Sequence, residues 1–288
     1  MNYENAVDFY IVVAIAVCII IALLIIRFGF IAPIAPRRRL GKAGAIRIGN
    51  GQTIGRRAEQ DDYFASMTTP VGTLAVVADG ISGLQNGRMS STLAVTTFTR
   101  EFAKVERADE LEEYFARAAQ KSNREILQNL NGQGGGTTLA AAVITGGKLH
   151  YGAVGDSLIT LFRNGEFVPV NSKHTAETLL EEKVLTGEMS REEAVSSPVR
   201  RQLTNYLGYE GFERMEIGED PVPLRADDLV LLASDGVHEA LTEIELEQIL
   251  LQQKTPQDMA EDIIDAIEAK GLRGQDNATV VILREDAC

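Results

Sequence analysis

Residues 137–167 read TTLAAAVITGGKLHYGAVGDSLITLFRNGEF, and they decide the fold class. Three β-type runs, TTLAAAVIT, KLHYGAVGD and LITLF, follow one another with no helical stretch between them. RNGE at 163–166 is a hairpin signal that returns LITLF onto FVPV. Further out lie GTLAVVAD (72–79), DLVLLASD (228–235) and NATVVIL (277–283). Several of these runs are almost continuously apolar, as expected of strands covered by other layers. Helical signals fall between them in pairs. Asp109 with Glu112 is expected to open a helix over 109–130, where Leu111, Phe115, Ala118 and Ala119 share a face. Thr242 with Glu245 forms a capping box. Thr255 and Pro256 supply an N-cap and a first-turn proline for a last helix that Gly271 ends. A helix pair, successive strands, then a helix pair before the last strand is not the βαβα alternation of a parallel sheet. The order predicts an α+β fold: antiparallel sheets flanked by helices.

The chain has 288 residues, 45% apolar and 24% charged, which is a globular composition. Its formal charge is −13, and nucleic acid is excluded as a partner because phosphate backbones call for a Lys/Arg patch. Cys18 and Cys288 are too few for a disulfide framework or a thiolate metal site.

Residues 6–26, AVDFYIVVAIAVCIIIALLII, carry one charge, Asp8. At ~1.5 Å per residue this stretch spans roughly 30 Å, a bilayer core, and predicts a transmembrane helix. Arg27, Arg37, Arg38, Arg39, Lys42 and Arg47 follow it, which places the remainder on the cytoplasmic side of the plasma membrane. Four of the 28 Lys+Arg and two of the 41 Asp+Glu fall in residues 1–39, so the rest is net −15. The expected layout is a tail (1–5), a transmembrane helix (6–26), a basic linker near anionic headgroups (27–45) and one soluble domain (46–288).

Apolar runs meet aspartates at Asp79, Asp156 and Asp235, and Asp276 opens the last run. Arg57-Ala-Glu-Gln-Asp61-Asp62 adds an arginine and more carboxylates. A lone Asp at a strand end is usually a solvated turn or a cap. Converging carboxylates without His or Cys are the donor set of hard cations, Mg²⁺ or Mn²⁺. Two such ions can activate water and orient a phosphoryl group, and Arg57 would offer a fork to phosphate oxygens.

The motifs RAEQDD (57–62), ADGISG (78–83), GGTTLAAAV (135–143), GAVGDS (152–157), LASDGV (232–237) and QDNATVVI (275–282) resemble, in order and spacing, those of the protein phosphatase 2C family. The likeness spans about residues 50–285. It implies a four-layer αββα sandwich and metal-dependent hydrolysis of phosphoserine and phosphothreonine by direct attack of a metal-bridging hydroxide. By motif position, Asp79 is expected to bridge two Mn²⁺ or Mg²⁺ ions, one of them contacted by the Gly80 carbonyl, with Asp235 and Asp276 on the second. Asp61 resembles the acid that reaches that ion, Asp62 and Asn277 support it, and Arg57 matches the phosphate-binding arginine. Asp156, with Asp235, resembles the site of a third ion. Residues 171–200 resemble the flap that influences substrate choice. Phosphorylated proteins, a serine/threonine kinase or its targets among them, are the implied partners, and a monomer is expected. Where some members carry a general-acid His, this chain has Ile81. Ser82 replaces a common Gly, and Leu158 a common Arg.

Two rival readings come from other classes. Gly155-Asp-Ser-Leu158 and Asp235-Gly-Val-His238 also spell the motifs of GDSL esterases, with Ser157 as nucleophile and His238 as base. A catalytically inactive binder of phosphorylated segments is the other. His150 and His174 read as structural and Arg56 as solvent-facing, and GQGGGTT reads as the entry to a strand, since no P-loop lysine follows it.

Overall fold

The apolar runs are strands with both faces covered. In this computed structural model, which describes residues 44–81 and 86–286, the chain forms β1 (Ile46–Thr53), β2 (Tyr63–Thr68) and β3 (Thr73–Ala78), then helices α1 (Gly87–Phe102) and α2 (Leu111–Leu130). Four strands follow without a helix: β4 (Leu139–Thr145), β5 (Lys148–Val154), β6 (Leu158–Arg163) and β7 (Glu166–Pro169). Short helices α3 (Ala176–Leu185) and α4 (Arg191–Ser196) occupy the expected flap, before β8 (Glu216–Ile217), β9 (Val222–Pro223) and β10 (Leu229–Ala233). Helices α5 (Asp235–Ala240), α6 (Glu243–Leu250) and α7 (Pro256–Lys270) precede β11 (Ala278–Glu285). The expected transmembrane helix over 6–26 lies outside the described residues. Among the described residues no helix is long and apolar enough to cross a membrane.

One sheet has the order β1-β11-β10-β6-β7; the other runs β2-β3-β4-β5, with β8 and β9 on the edge of β5. All pairs are antiparallel. Alternation along each strand sorts the apolar side chains into three layers. Ala75, Val77, Ile159, Leu161, Val230, Leu232, Val281 and Leu283 meet between the sheets. Leu74, Val76, Leu139 and Val143 face Phe98, Phe102, Tyr114 and Phe115 of α1 and α2. Leu231, Val280 and Ile282 face Leu246, Met259, Ile263 and Ile267. The result is the αββα sandwich that the motif likeness implies.

Four strands escaped the sequence reading, of which β8 and β9 are only two residues each. β1 has only Ile46 and Ile48 as apolar side chains. β2 (YFASMT) is partly exposed along its length, with Phe64 and Ala65 packed into different layers, so neither strand gives a clear continuous or alternating signal. Gly49 explains why β1 is polar and small: a Cβ there would lie 2.0 Å from the Pro256 carbonyl oxygen at the start of α7. The start of α2 also differs from expectation. Asp109 does not cap it, because its carboxylate pairs with Arg107 within a 3₁₀ turn, and Leu111 follows an uncapped Glu110. The other boundaries hold. Asn164 and Gly165 take positive φ in the β6–β7 hairpin. The capping box forms at Thr242, Thr255 caps α7 and also makes a box with Asp258, and Gly271 ends α7 with φ 56°.

Glu101 joins α1 to α2. It is 4% exposed and accepts from Lys104 Nζ and Lys121 Nζ, each at 2.8 Å. Hydrogen bonds from those lysines hold its carboxyl at a pKa of about 2, against the upward push of burial. The folded pKa lies below the ordinary 4.5, so this stabilisation is full above that pH and is lost as pH falls towards 2. Glu101→Gln is expected to cost about 2 kcal/mol at neutral pH. The gap between wild type and variant should close across that acid window, read from urea midpoints. A gap that stays constant would remove this cluster from the stability of the helix pair.

Candidate active site

Antiparallel register gathers strand ends that are far apart in sequence. Ala78 at the end of β3 is opposite Tyr63 at the start of β2, so Asp79 adjoins Asp61 and Asp62. Val154 at the end of β5 is opposite Leu139, so Asp156 follows beside the Thr137-Thr138 lead into β4. Ala233 at the end of β10 is opposite Val280, so Asp235 adjoins Asp276. The carboxylates expected to act together therefore project from one end of the sandwich.

Backbone and hydroxyl contacts hold them there. The Asp79 N–H donates to Thr138 Oγ1 at 3.1 Å, and its carbonyl accepts from Thr138 N at 2.9 Å and Thr137 Oγ1 at 2.8 Å. Gly80 N–H donates to the Asp61 carbonyl at 3.2 Å. A Cβ on Gly80 would lie 2.5 Å from the Gly87 backbone, so this approach is open only to glycine. Asn277 fastens the Arg57 loop. It accepts from Asp61 N at 2.8 Å and donates to the carbonyls of Ile54 and Glu59 at 2.9 and 3.1 Å. Asp235 is the first residue of α5 rather than a turn residue, and Gly236 lets that helix pass the chain entering β11, where a Cβ would meet the Asn277 carbonyl at 2.0 Å.

Asp62 is 2% exposed. Its Oδ2 accepts from Ser234 Oγ at 2.8 Å and Thr279 Oγ1 at 2.7 Å, while Oδ1 has no hydrogen-bond partner. Burial pushes its pKa up to about 6 in spite of those hydroxyls. Burial, then the neighbouring Asp62 and Asp235 charges, pushes Asp79 well above the carboxylate range. Asp235 rises to about 7, chiefly through burial and then the Asp156 charge, and burial also raises Asp156 and Asp61. Arg57 Nη2 contacts Asp276 Oδ2 at 2.5 Å, so the arginine stands at the rim of the cluster.

This donor set suits a hard cation. It consists of oxygens, several are desolvated beside like charges, and one buried Asp62 oxygen has no partner. Among the described residues no three His, Cys, Asp or Glu side chains form a ready coordination shell.

The esterase pair does not assemble. Ser157 Oγ is buried against Thr138 Oγ1 at 2.7 Å, and the buried His238 Nε2 has no partner. Burial pushes His238 down to about 4. His174 is structural: its Nδ1 accepts from Gly155 N–H at 3.2 Å and its backbone N–H donates to the Gly155 carbonyl at 2.8 Å, tying the segment before α3 to the Asp156 turn. His150 is half-buried on β5. The GQGGGTT stretch is no phosphate cradle. Gly136 lies under the Tyr206 ring, and Thr137 exchanges backbone bonds with Leu207. Thr138, Ser234 and Thr279 are the residues that motif reading passed over, although each lies within one of the quoted motifs.

The family model described as protein phosphatase 2C matches residues 51–275. The serine/threonine phosphatase stp of Listeria monocytogenes serotype 4b (strain F2365) is 32% identical over 222 residues, covering 74% of this chain and 84% of that protein. Protein phosphatase PhpP of Streptococcus pneumoniae is 28% identical over 241 residues, covering 81% of this chain and 95% of that protein. Among solved structures, the S. agalactiae serine/threonine phosphatase superposes with a TM-score of 0.74 at 28% identity, over 84% of this chain and 100% of that one. The Mycobacterium tuberculosis serine/threonine phosphatase PstP/Ppp gives a TM-score of 0.69 at 26% identity, over 84% and 99%.

Asn277→Ala removes the bonds that fasten residues 54–61 to β11. It is expected to cost about 3 kcal/mol and to speed amide exchange at Asp61. Unaltered exchange there would show that the loop is held by other contacts.

Proposed function

The chain belongs to the protein phosphatase 2C family and is a protein serine/threonine phosphatase, and from that premise we propose that it is a metal-dependent enzyme anchored in the plasma membrane, acting on cytoplasmic phosphoproteins. The observation that carries the chemistry is the set of desolvated carboxylates Asp62, Asp79, Asp156 and Asp235 at one sheet end, with Arg57 on Asp276 at the rim. Mn²⁺ or Mg²⁺ held there would lower the pKa of bound water and take up charge on the transferring phosphoryl group. Asp79, the Gly80 carbonyl, Asp235 and Asp276 would hold the ions, with Asp61 and Asp156 as outer donors. Asp62 would stay buried behind them, fixed by Ser234 and Thr279. Asn277 keeps the Arg57 loop in register, so that the guanidinium can turn from Asp276 to a substrate phosphate. The water-side nucleophile needs no serine, in keeping with Ser157 being tied to Thr138.

The membrane reading rests on the apolar stretch 6–26 and the arginines behind it. The full chain is expected in the membrane fraction, and a chain lacking residues 1–39 in the soluble one. Recovery of the full chain in the soluble fraction would end that reading.

Asp79→Asn is expected to abolish hydrolysis of p-nitrophenyl phosphate in Mn²⁺, and chelation should silence the wild type. Full activity in Asp79→Asn would overturn the assignment. Arg57→Ala should mainly raise KM, by about tenfold or more, with kcat less affected. An unchanged KM would take Arg57 out of phosphate binding.

A further inference from the structure

Between the loop that carries Arg57 and the first turns of α1 lies an open cleft of about 900 Å³. Arg57, Glu59 and Asp61 line one wall, and Arg88, Met89 and Leu93 line the other. The walls are tied together beside the carboxylate cluster. Ser91 Oγ donates to the Asp61 carbonyl at 2.5 Å, and the Asp61 carboxylate lies against the Arg88 backbone N–H. A Cβ on Gly87 would lie 3.2 Å from the Asp61 carboxyl carbon, which shows how closely the helix start abuts the loop. The Arg88 side chain therefore springs from a fixed point next to the reacting end of the cleft.

The two arginines are in different states. Arg57 is engaged by Asp276. Arg88 is exposed, and none of the ion pairs among the described residues involves it, Glu59 across the cleft included. Other arginines, Arg56 and Arg124 among them, also make no ion pair among the described residues, but of these it is Arg88 that lines the cleft beside the carboxylate cluster. Below it, Met89 and Leu93 stand one helical turn apart, half-buried against the core, and give the cleft an apolar floor.

We propose that this cleft receives the stretch of phosphoprotein next to the phosphorylated residue, and that Arg88 is a specificity residue pairing with an anionic side chain on that stretch. The proposal rests on Arg57 holding the substrate phosphate, which sets the reacting end of the cleft. Carboxylate and a second phosphate share the chemistry that the guanidinium recognises, both accepting its planar fork. Met89 and Leu93 would cover aliphatic parts of the peptide. The cleft is open to solvent, so the pair is of moderate strength and screened by salt.

The test uses the full chain and three phosphothreonine peptides that differ only in the flanking residue: alanine, aspartate or phosphoserine. The readout is kcat/KM for each anionic peptide divided by that for the alanine peptide. In the wild type this ratio is expected to be about five, falling towards one in about 0.5 M salt. Arg88→Ala should bring it to about one at low salt, and Arg88→Glu below one. Comparing the aspartate and phosphoserine ratios tells which anion the cleft prefers. Equal ratios in wild type, Arg88→Ala and Arg88→Glu would overturn the proposal, as would an equal fall on all three peptides. The Arg57 assignment is read separately on p-nitrophenyl phosphate, which has no flanking stretch: an Arg57→Ala variant with unchanged KM removes that assignment, whatever the peptide ratios.

Discussion

Asp62 is 2% exposed, with one carboxylate oxygen satisfied by Ser234 and Thr279 and the other by nothing, and Asp79 and Asp235 are raised by the same loss of water. Taking carboxylates out of water beside one another is unfavourable unless protons or cations offset the charge. These side chains cannot relax away from each other. Asp79 is held through both its N–H and its carbonyl by Thr137 and Thr138, and Asp61 through both of its backbone groups by Asn277 and Gly80. The unfavourable cluster is thus a property of the backbone, carried by a frame stable enough to bear it.

That frame is the sandwich. Its three apolar layers depend on strands that bury both faces, which is why Leu74 and Ala75, or Val280 and Val281, are adjacent in sequence yet serve different layers. Antiparallel pairing then does what a parallel sheet would do differently. It sets the end of β3 beside the start of β2 and the end of β10 beside the start of β11, so acids after one strand meet acids before the next. Glycine allows the close approaches at the seams: Gly49 against α7, Gly80 against the start of α1, Gly236 against the lead into β11.

Family membership and site geometry carry different parts of the functional reading. The relatives establish the class of enzyme, with identity near 30% spread over most of both chains. The geometry accounts for this chain's particulars: Ser157 locked to Thr138, and Arg88 lining a cleft with no ion pair among the described residues. The acid excess behind the net −13 also divides. Part of it is the carboxylate cluster, and most is solvated surface on a domain that follows a basic stretch.

The sequence by itself determined the strand-strand-strand order of residues 137–167, the capping box at Thr242, the N-cap at Thr255 and the aspartates at strand ends, because each is a local pattern of neighbouring residues. It could not show β1 or β2, whose partly exposed residues make sense only against α7 and β3, nor that Asp109 would turn to Arg107 instead of capping α2. The motif likeness gave Asp61 and Asp62 different roles, but not the reason: Asp62 is sealed by hydroxyls from Ser234 and Thr279, while Asp61 beside it faces a cleft. Those distinctions belong to the tertiary structure alone. Burial and hydrogen bonding set the charge behaviour of a carboxylate, and both are supplied here by residues some 170 to 220 positions away.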